Sequence, residues 1–236
     1  MYLQFTQKSK YNKCNTCTTC NIYNINLKTR RIFMTLFLTL LSGISWMLVY
    51  IDCIRLGIKQ KTYGIPLFAL ALNIAWEGLY SFLGLKLPIR IQTIVNIIWF
   101  IFDLIIVVSY FKYGKNDFPK SAKKYFIPFS ILTFASCLAL QLAFYWEFGY
   151  SHGPIYSAFL QNVVMSILFI IMLFHRNSKK GQSMVIAVAK WLGTLAPSIL
   201  MGVVQGINVY VITCGILCSI FDILYIILLL NWNKIL

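Results

Sequence analysis

Residues 91–111 read IQTIVNIIWFIFDLIIVVSYF, twenty-one positions carrying a single charge, Asp103. A bilayer core takes about 20 predominantly apolar residues per helix, and this stretch is apolar all round, unlike the one-sided stripe of a surface helix. Six more stretches share its character, at residues 32–51, 65–85, 126–147, 156–174, 185–204 and 207–230. Membrane β-strands would instead alternate over segments of about ten residues, and no such alternation is found. The spacing predicts an all-α integral membrane protein, a seven-helix bundle over residues 32–236, with residues 1–31 as a basic, unstructured tail.

Composition agrees. Of 236 residues, 59% are hydrophobic, 16% aromatic and 11% charged, against roughly 25% charged in soluble domains. A soluble enzyme, a disordered chain and a nucleic-acid-binding domain are thereby excluded, despite a formal net charge of +15. The lipid bilayer is the solvent.

Basic residues set an orientation. Loops after the first, third and fifth spans hold Arg55, Lys59 and Lys61; Lys112, Lys115, Lys120, Lys123 and Lys124; and Arg176, Lys179 and Lys180. On the other side, only the loop after the second span is basic, with Lys86 and Arg90. The richer side should be cytoplasmic, giving an N-out, C-in bundle. The tail, with Lys8, Lys10, Lys13, Lys28, Arg30 and Arg31, opposes this reading. It lacks the apolar run of a signal peptide, and Met34 opens the first span directly. Its Cys14, Cys17 and Cys20 lack a fourth ligand, so no metal site is expected.

Six acids remain. Asp117 falls in a loop and reads as solvated. Asp52 and Glu147 sit at span ends. Glu77, Asp103 and Asp222 lie inside spans, where an ionised group costs at least ~2.5–3.5 kcal/mol. At 1.5 Å per residue all three fall near the midplane, within a band of ~10 Å, so a shared cavity is expected. Asn73, Glu77 and Tyr80 form one stripe; Asn96, Trp99 and Asp103 a second; Cys218, Asp222 and Tyr225 a third. Gln161 and Asn162 add amides. Interhelical hydrogen bonding alone would account for the amides, but not for three acids. Lys190, nearest to the midplane, is expected to snorkel to the interface, leaving the acids without a cationic partner. An unpaired carboxyl in a dry interior keeps its proton and can act as a general acid. Trp76, Tyr80, Trp99 and Tyr225 offer π faces that stabilise cations. Acid-initiated carbocation chemistry on a lipophilic substrate fits this set.

No aspartate-rich motif for magnesium and diphosphate occurs, nor a phosphate loop, a zinc motif or a nucleophile elbow. The last span has no lysine for a retinal Schiff base. His152 and His175 both lie outside the spans. No cofactor is expected.

Asn73-x-x-Trp76-Glu77-Gly78-Leu79-Tyr80 resembles a hallmark of the Pyr4/PaxB-type integral membrane terpene cyclases. Gln161-Asn162-x-x-Met165-Ser166 and Phe221-Asp222-x-x-Tyr225 are similar to that family's later motifs, and the likeness runs from about residue 36 to 230, with seven spans of membrane length. The resemblance implies non-metal, proton-initiated cyclisation of a linear isoprenoid, epoxidised or plain and often carried on an aromatic or polyketide acceptor. It places the family's two essential acids on Glu77 and Asp222. Asp103 joins them as a catalytic candidate from its depth and stripe. Asn73, Trp76, Tyr80, Trp99, Gln161, Asn162 and Tyr225 are the candidate substrate-binding residues. A prenyltransferase and an epoxidase are the implied pathway neighbours. The membrane would be the cell membrane in a bacterium and the endoplasmic reticulum in a eukaryote.

The competing class is a small proton-coupled transporter of 3+1+3 symmetry. Phe102-Asp103-Leu104-Ile105 echoes Phe221-Asp222-Ile223-Leu224, although three of the four positions are generic apolar ones.

Overall fold

Long apolar runs leave each backbone amide no partner but its own helix, and helices follow. The computed structural model describes residues 18–235, with side chains described from Thr29 to Trp232. Helix α1 spans Thr18–Gln60, α2 Leu67–Leu85, α3 Ile91–Tyr113, α4 Phe126–Arg176, α5 Met184–Ile199 and α6 Val209–Ile235. Six helices are long and apolar enough to cross a membrane, and no strand occurs among the described residues. Residues 1–17 of the tail lie outside the described residues, and no side chain of Cys14, Cys17 or Cys20 is described; residues 18–31, expected to be unstructured, form the start of α1.

Helix boundaries follow local chemistry. Lys61, at φ 50°, ends α1, and Pro66 precedes α2, where its missing N–H costs nothing. Ser183 caps α5, its Oγ accepting from the Ile186 amide at 3.1 Å. Pro197 withdraws a donor late in α5, and a π-helical turn over Leu200–Val204 follows. Arg55 and Lys59, expected in a loop, belong to α1, which outruns the apolar stretch by about two turns.

Helix α4 is 51 residues long, about 76 Å if straight. It is not straight. Gly149 adopts φ 65°, ψ −175°, a region open essentially to glycine alone. Across it Gln141 donates to Gln161 at 2.9 Å, although a straight helix would separate them by about 30 Å. The chain therefore doubles back, and α4 is two antiparallel limbs.

Helix α1 packs on α3 and α5, α2 on α3 and α4, and α6 on α4 and α5. The helices close a ring in the order α1, α3, α2, α4, α6, α5. Outer faces present Phe33, Leu40, Ile94, Leu132, Ile216 and Leu230, as a lipid-facing surface requires. Gly193 lets α1 and α5 approach closely, since a Cβ there would stand 3.0 Å from the Trp46 ring. At one end the loops after α1, α3 and α4 meet on Arg176. Its Nε donates to Asp117 Oδ2 at 2.8 Å, and NH1 donates to the Tyr63 and Lys180 carbonyls at 3.1 and 2.9 Å. Asp117 is thus an ion-pair partner, not the solvated loop acid expected, because the α3–α4 turn brings it onto a largely buried arginine.

Candidate active site

Every helix of the ring turns a polar side chain inward, and these gather into two groups. The first centres on Glu77 of α2. Tyr50 of α1 donates its hydroxyl to Glu77 Oε1 at 2.5 Å. Asn73 Nδ2 donates to the Tyr50 oxygen at 3.2 Å, Gln161 Nε2 to Asn73 Oδ1 at 3.1 Å, and Gln141 to Gln161. A buried amide chain thus runs from both limbs of α4 to the phenol on Glu77. Asp103 of α3 adjoins Glu77 and Tyr50. Glu77 is 4% exposed and Asp103 0%. Glu77 Oε2 and both Asp103 oxygens have no hydrogen-bond partner. Ionising two adjoining carboxyls in a dry interior is costly. Rings of Trp99 and Phe102 stand 6.3 and 5.9 Å from that of Tyr50.

The second group centres on Asp222 of α6. Lys190 of α5 donates to Asp222 Oδ1 at 2.5 Å and to Ser166 Oγ of α4 at 2.7 Å. Lys190 is 0% exposed and Asp222 1%. Lysine does not snorkel here, correcting the sequence reading. It points into the ring because Ile186, Ala187, Gly193 and Thr194, which share its face of α5, are buried too, and because the pair answers its charge. The three acids therefore do not form one unpaired set: Asp222 has a cation, and Glu77 and Asp103 have each other.

Beside the first group, a lateral groove of about 410 Å³ opens between α2, α3 and the first limb of α4. Ile74, Val107, Phe111, Ile131, Phe134 and Leu138 line it. Ile74 lies one helical turn from Glu77, and Val107 one turn from Asp103.

Residues 28–234 match the model of the Pyr4-like transmembrane terpene cyclases. The chain belongs to that family. It is 30% identical over 168 residues, 67% of its own length, to the Pyr4-family terpene cyclase mfmH of Annulohypoxylon moriforme. It is 26% identical over 156 residues to the terpene cyclase andB of Emericella variicolor, covering 65% of this chain. The matched region spans 66% of each of these relatives, just under two thirds. The terpene cyclase pyr4 of Aspergillus fumigatus is 24% identical over 201 residues, 79% of this chain and 82% of its own. No solved structure matches.

Within this cyclase family member, the structure sorts the anticipated residues. Asn73 and Gln161 join Glu77 through Tyr50, and Trp99 flanks that phenol. Trp76 donates its Nε1–H to the Pro154 carbonyl at 3.0 Å and packs on Tyr80, ring centroids 5.0 Å apart, so both brace α2 against the bend of α4. Tyr225 is buried, packs on Phe169 and donates to Gln182 at 2.7 Å, one turn from Asp222. Asn162 is half-buried, and its carbonyl accepts from Ser166. Tyr50, Gln141 and Lys190 escaped the sequence reading. For Tyr50 a signal existed: Trp46, Tyr50 and Cys53 repeat at i, i+4, i+7 and are buried.

Proposed function

We propose that this integral membrane protein cyclises a linear isoprenoid, epoxidised or plain, by protonating it without a metal. The carrying observation is the buried Glu77–Asp103 pair, partnerless on three oxygens and held by Tyr50. Glu77 donates its proton to a terminal epoxide oxygen or alkene carbon, and Asp103, itself protonated, donates a hydrogen bond to the carboxylate left behind. The π bonds then close in turn onto the developing cation, and Trp99, Tyr50 and Phe102 present rings to it. Asp222, the second acid of the resemblance, acts where the cascade ends. The apolar groove beside Ile74 and Val107 gives a greasy chain a lateral approach from the bilayer. The acceptor that bears the chain, aromatic or polyketide, and neighbouring prenyltransferase and epoxidase steps follow from the family alone.

The two limbs of α4 each cross the bilayer in this reading, giving seven crossings with the Arg176 end in the cytoplasm and the amino terminus outside. The basic loops support that orientation. In a eukaryote the membrane is the endoplasmic reticulum, and in a bacterium the cell membrane.

A transporter built on the Asp103 and Asp222 echo finds less support, because Asp222 pairs with a lysine and Asp103 does not. Membranes containing the wild type, Glu77→Gln or Asp222→Asn decide the matter when fed prenylated epoxides and plain polyprenols. A cyclic isomer of unchanged mass is expected from the wild type only. A wild type that consumes nothing in a broad panel, or variants that match it, would overturn the reading.

A further inference from the structure

Lys190 is the only wholly buried lysine or arginine among the described residues, and the acid chemistry proposed above leaves it without a task. An ammonium taken into an apolar bundle is retained only where its charge and donors are answered. Here Asp222 Oδ1 takes one donor at 2.5 Å and Ser166 Oγ a second at 2.7 Å, and the Phe169 ring lies 5.7 Å away. Asp222 Oδ2 is buried and has no hydrogen-bond partner. Cys218 and Tyr225 are the other polar neighbours, each one turn from Asp222 on the same helix. The carboxylate is thus tethered on one side and bare on the other.

We infer that Lys190 is a positioning residue that holds Asp222 as an anion with Oδ2 open, which makes Asp222 the proton acceptor that terminates the cascade. This rests on the cyclase reading. An epoxide or alkene needs a proton from an acid with no cation beside it, which describes Glu77 and Asp103 and not Asp222. A carbon next to a carbocation bears a far more acidic hydrogen, so even a salt-bridged carboxylate takes it. The C–H bond breaks, its electron pair becomes the new C=C bond, and the proton passes to Oδ2. One proton enters at Glu77 and one leaves to Asp222. Its return through water, as product leaves, resets the site, and the reaction consumes only substrate. Until then the anion balances the positive charge as it migrates along the chain.

Infrared difference spectra of the purified full chain test the charge state without any substrate. Wild type minus Asp222→Asn should show loss of an ionised carboxylate band. Lys190→Met minus Lys190→Met/Asp222→Asn should show loss of a protonated carboxyl band. A protonated Asp222 in the wild type overturns the inference. In the membrane assay, Lys190→Met that melts as a folded protein should form product about 10²-fold more slowly. Its residual product should spread over alkene isomers and water-quenched alcohols, and Lys190→Arg should restore the single product. Wild-type rate and product from Lys190→Met would also overturn the inference. Should Lys190→Met not fold, Lys190→Arg and the first infrared comparison still decide. A wild type without cyclase activity removes the terminating role, while the infrared result stands separately on the ion pair.

Discussion

Tyr50 and Glu77 are 27 positions apart on neighbouring elements of the chain, and the phenol of one donates to the carboxyl of the other at 2.5 Å. In the ring α3 stands between their helices, α1 and α2, and the Tyr50 phenol bridges the two directly. The hydrogen bond engages Oε1 and leaves Oε2 bare, so in the proposed reaction Oε2 is the oxygen that hands over the proton. Asn73 and the two glutamines behind it hold the phenol in turn.

Tyr50→Phe keeps the ring that packs on Trp46, Trp99 and Phe102 and deletes the donor. Leaving Glu77 Oε1 and the Asn73 amide unpaired should cost about 1–3 kcal/mol of stability. Cyclisation should slow by about tenfold or more, because the acid loses its orientation. Thermal melts in detergent and turnover per folded molecule measure the two separately. Unchanged turnover would remove Tyr50 from the site.

Glu77→Gln and Asp103→Asn should not add. Either change alone removes the proton donor or the neutral carboxyl that steadies it after transfer, so each should lower turnover by about 10²-fold or more, and the double variant should fall little further. Contacting groups that work as a unit couple in this way. A double loss equal to the product of the single losses would show that the two carboxyls act independently.

Much of this was legible in sequence, and the failures have physical causes. Apolar runs fixed the helical class because backbone groups in lipid have no other partner, and three acids inside those runs stood out by their cost. Tyr50 did not stand out, because the first apolar run closes at residue 51 and an end-of-span tyrosine reads as interfacial. The helix continues to Gln60, which puts Tyr50 about 15 Å inside its end. Lys190 was misjudged for a related reason. Its depth along α5 is readable, but its direction depends on which helices flank α5, and Asp222 lies 32 residues on. The stripe of small residues at Ala187 and Gly193 was the available hint.

Gly149 carries the reversal of α4 through its backbone alone. A Cβ there would meet nothing within 4 Å, so Gly149→Ala tests conformation without a clash. At φ 65°, ψ −175° the alanine should cost about 1–3 kcal/mol, seen as a lower melting temperature. Gly43, which also has open space at its Cβ but lies within helix α1, is the control. Its change to alanine should raise stability by about 0.5–1 kcal/mol. Equal effects at the two positions would mean that the bend at Gly149 is not strained for an L-residue.

Arg176 offers the clearest separation of stability from chemistry. Its guanidinium reaches Asp117 and the Tyr63 and Lys180 carbonyls at once, and lies 4.3 Å from the centre of the Tyr63 ring. Burial pushes the Tyr63 phenol up, and Arg176 draws it part of the way back. A lysine has one compact charge and no planar fork to stack on that ring. Arg176→Lys should therefore lose about 1–3 kcal/mol of stability, while the folded fraction cyclises at the wild-type rate, because no reacting group touches this end of the ring. Melting curves and turnover per folded molecule are the paired measurements. A fall in turnover at full folding would place the Arg176 end within the catalytic apparatus, contrary to the arrangement argued from Glu77 and Asp222.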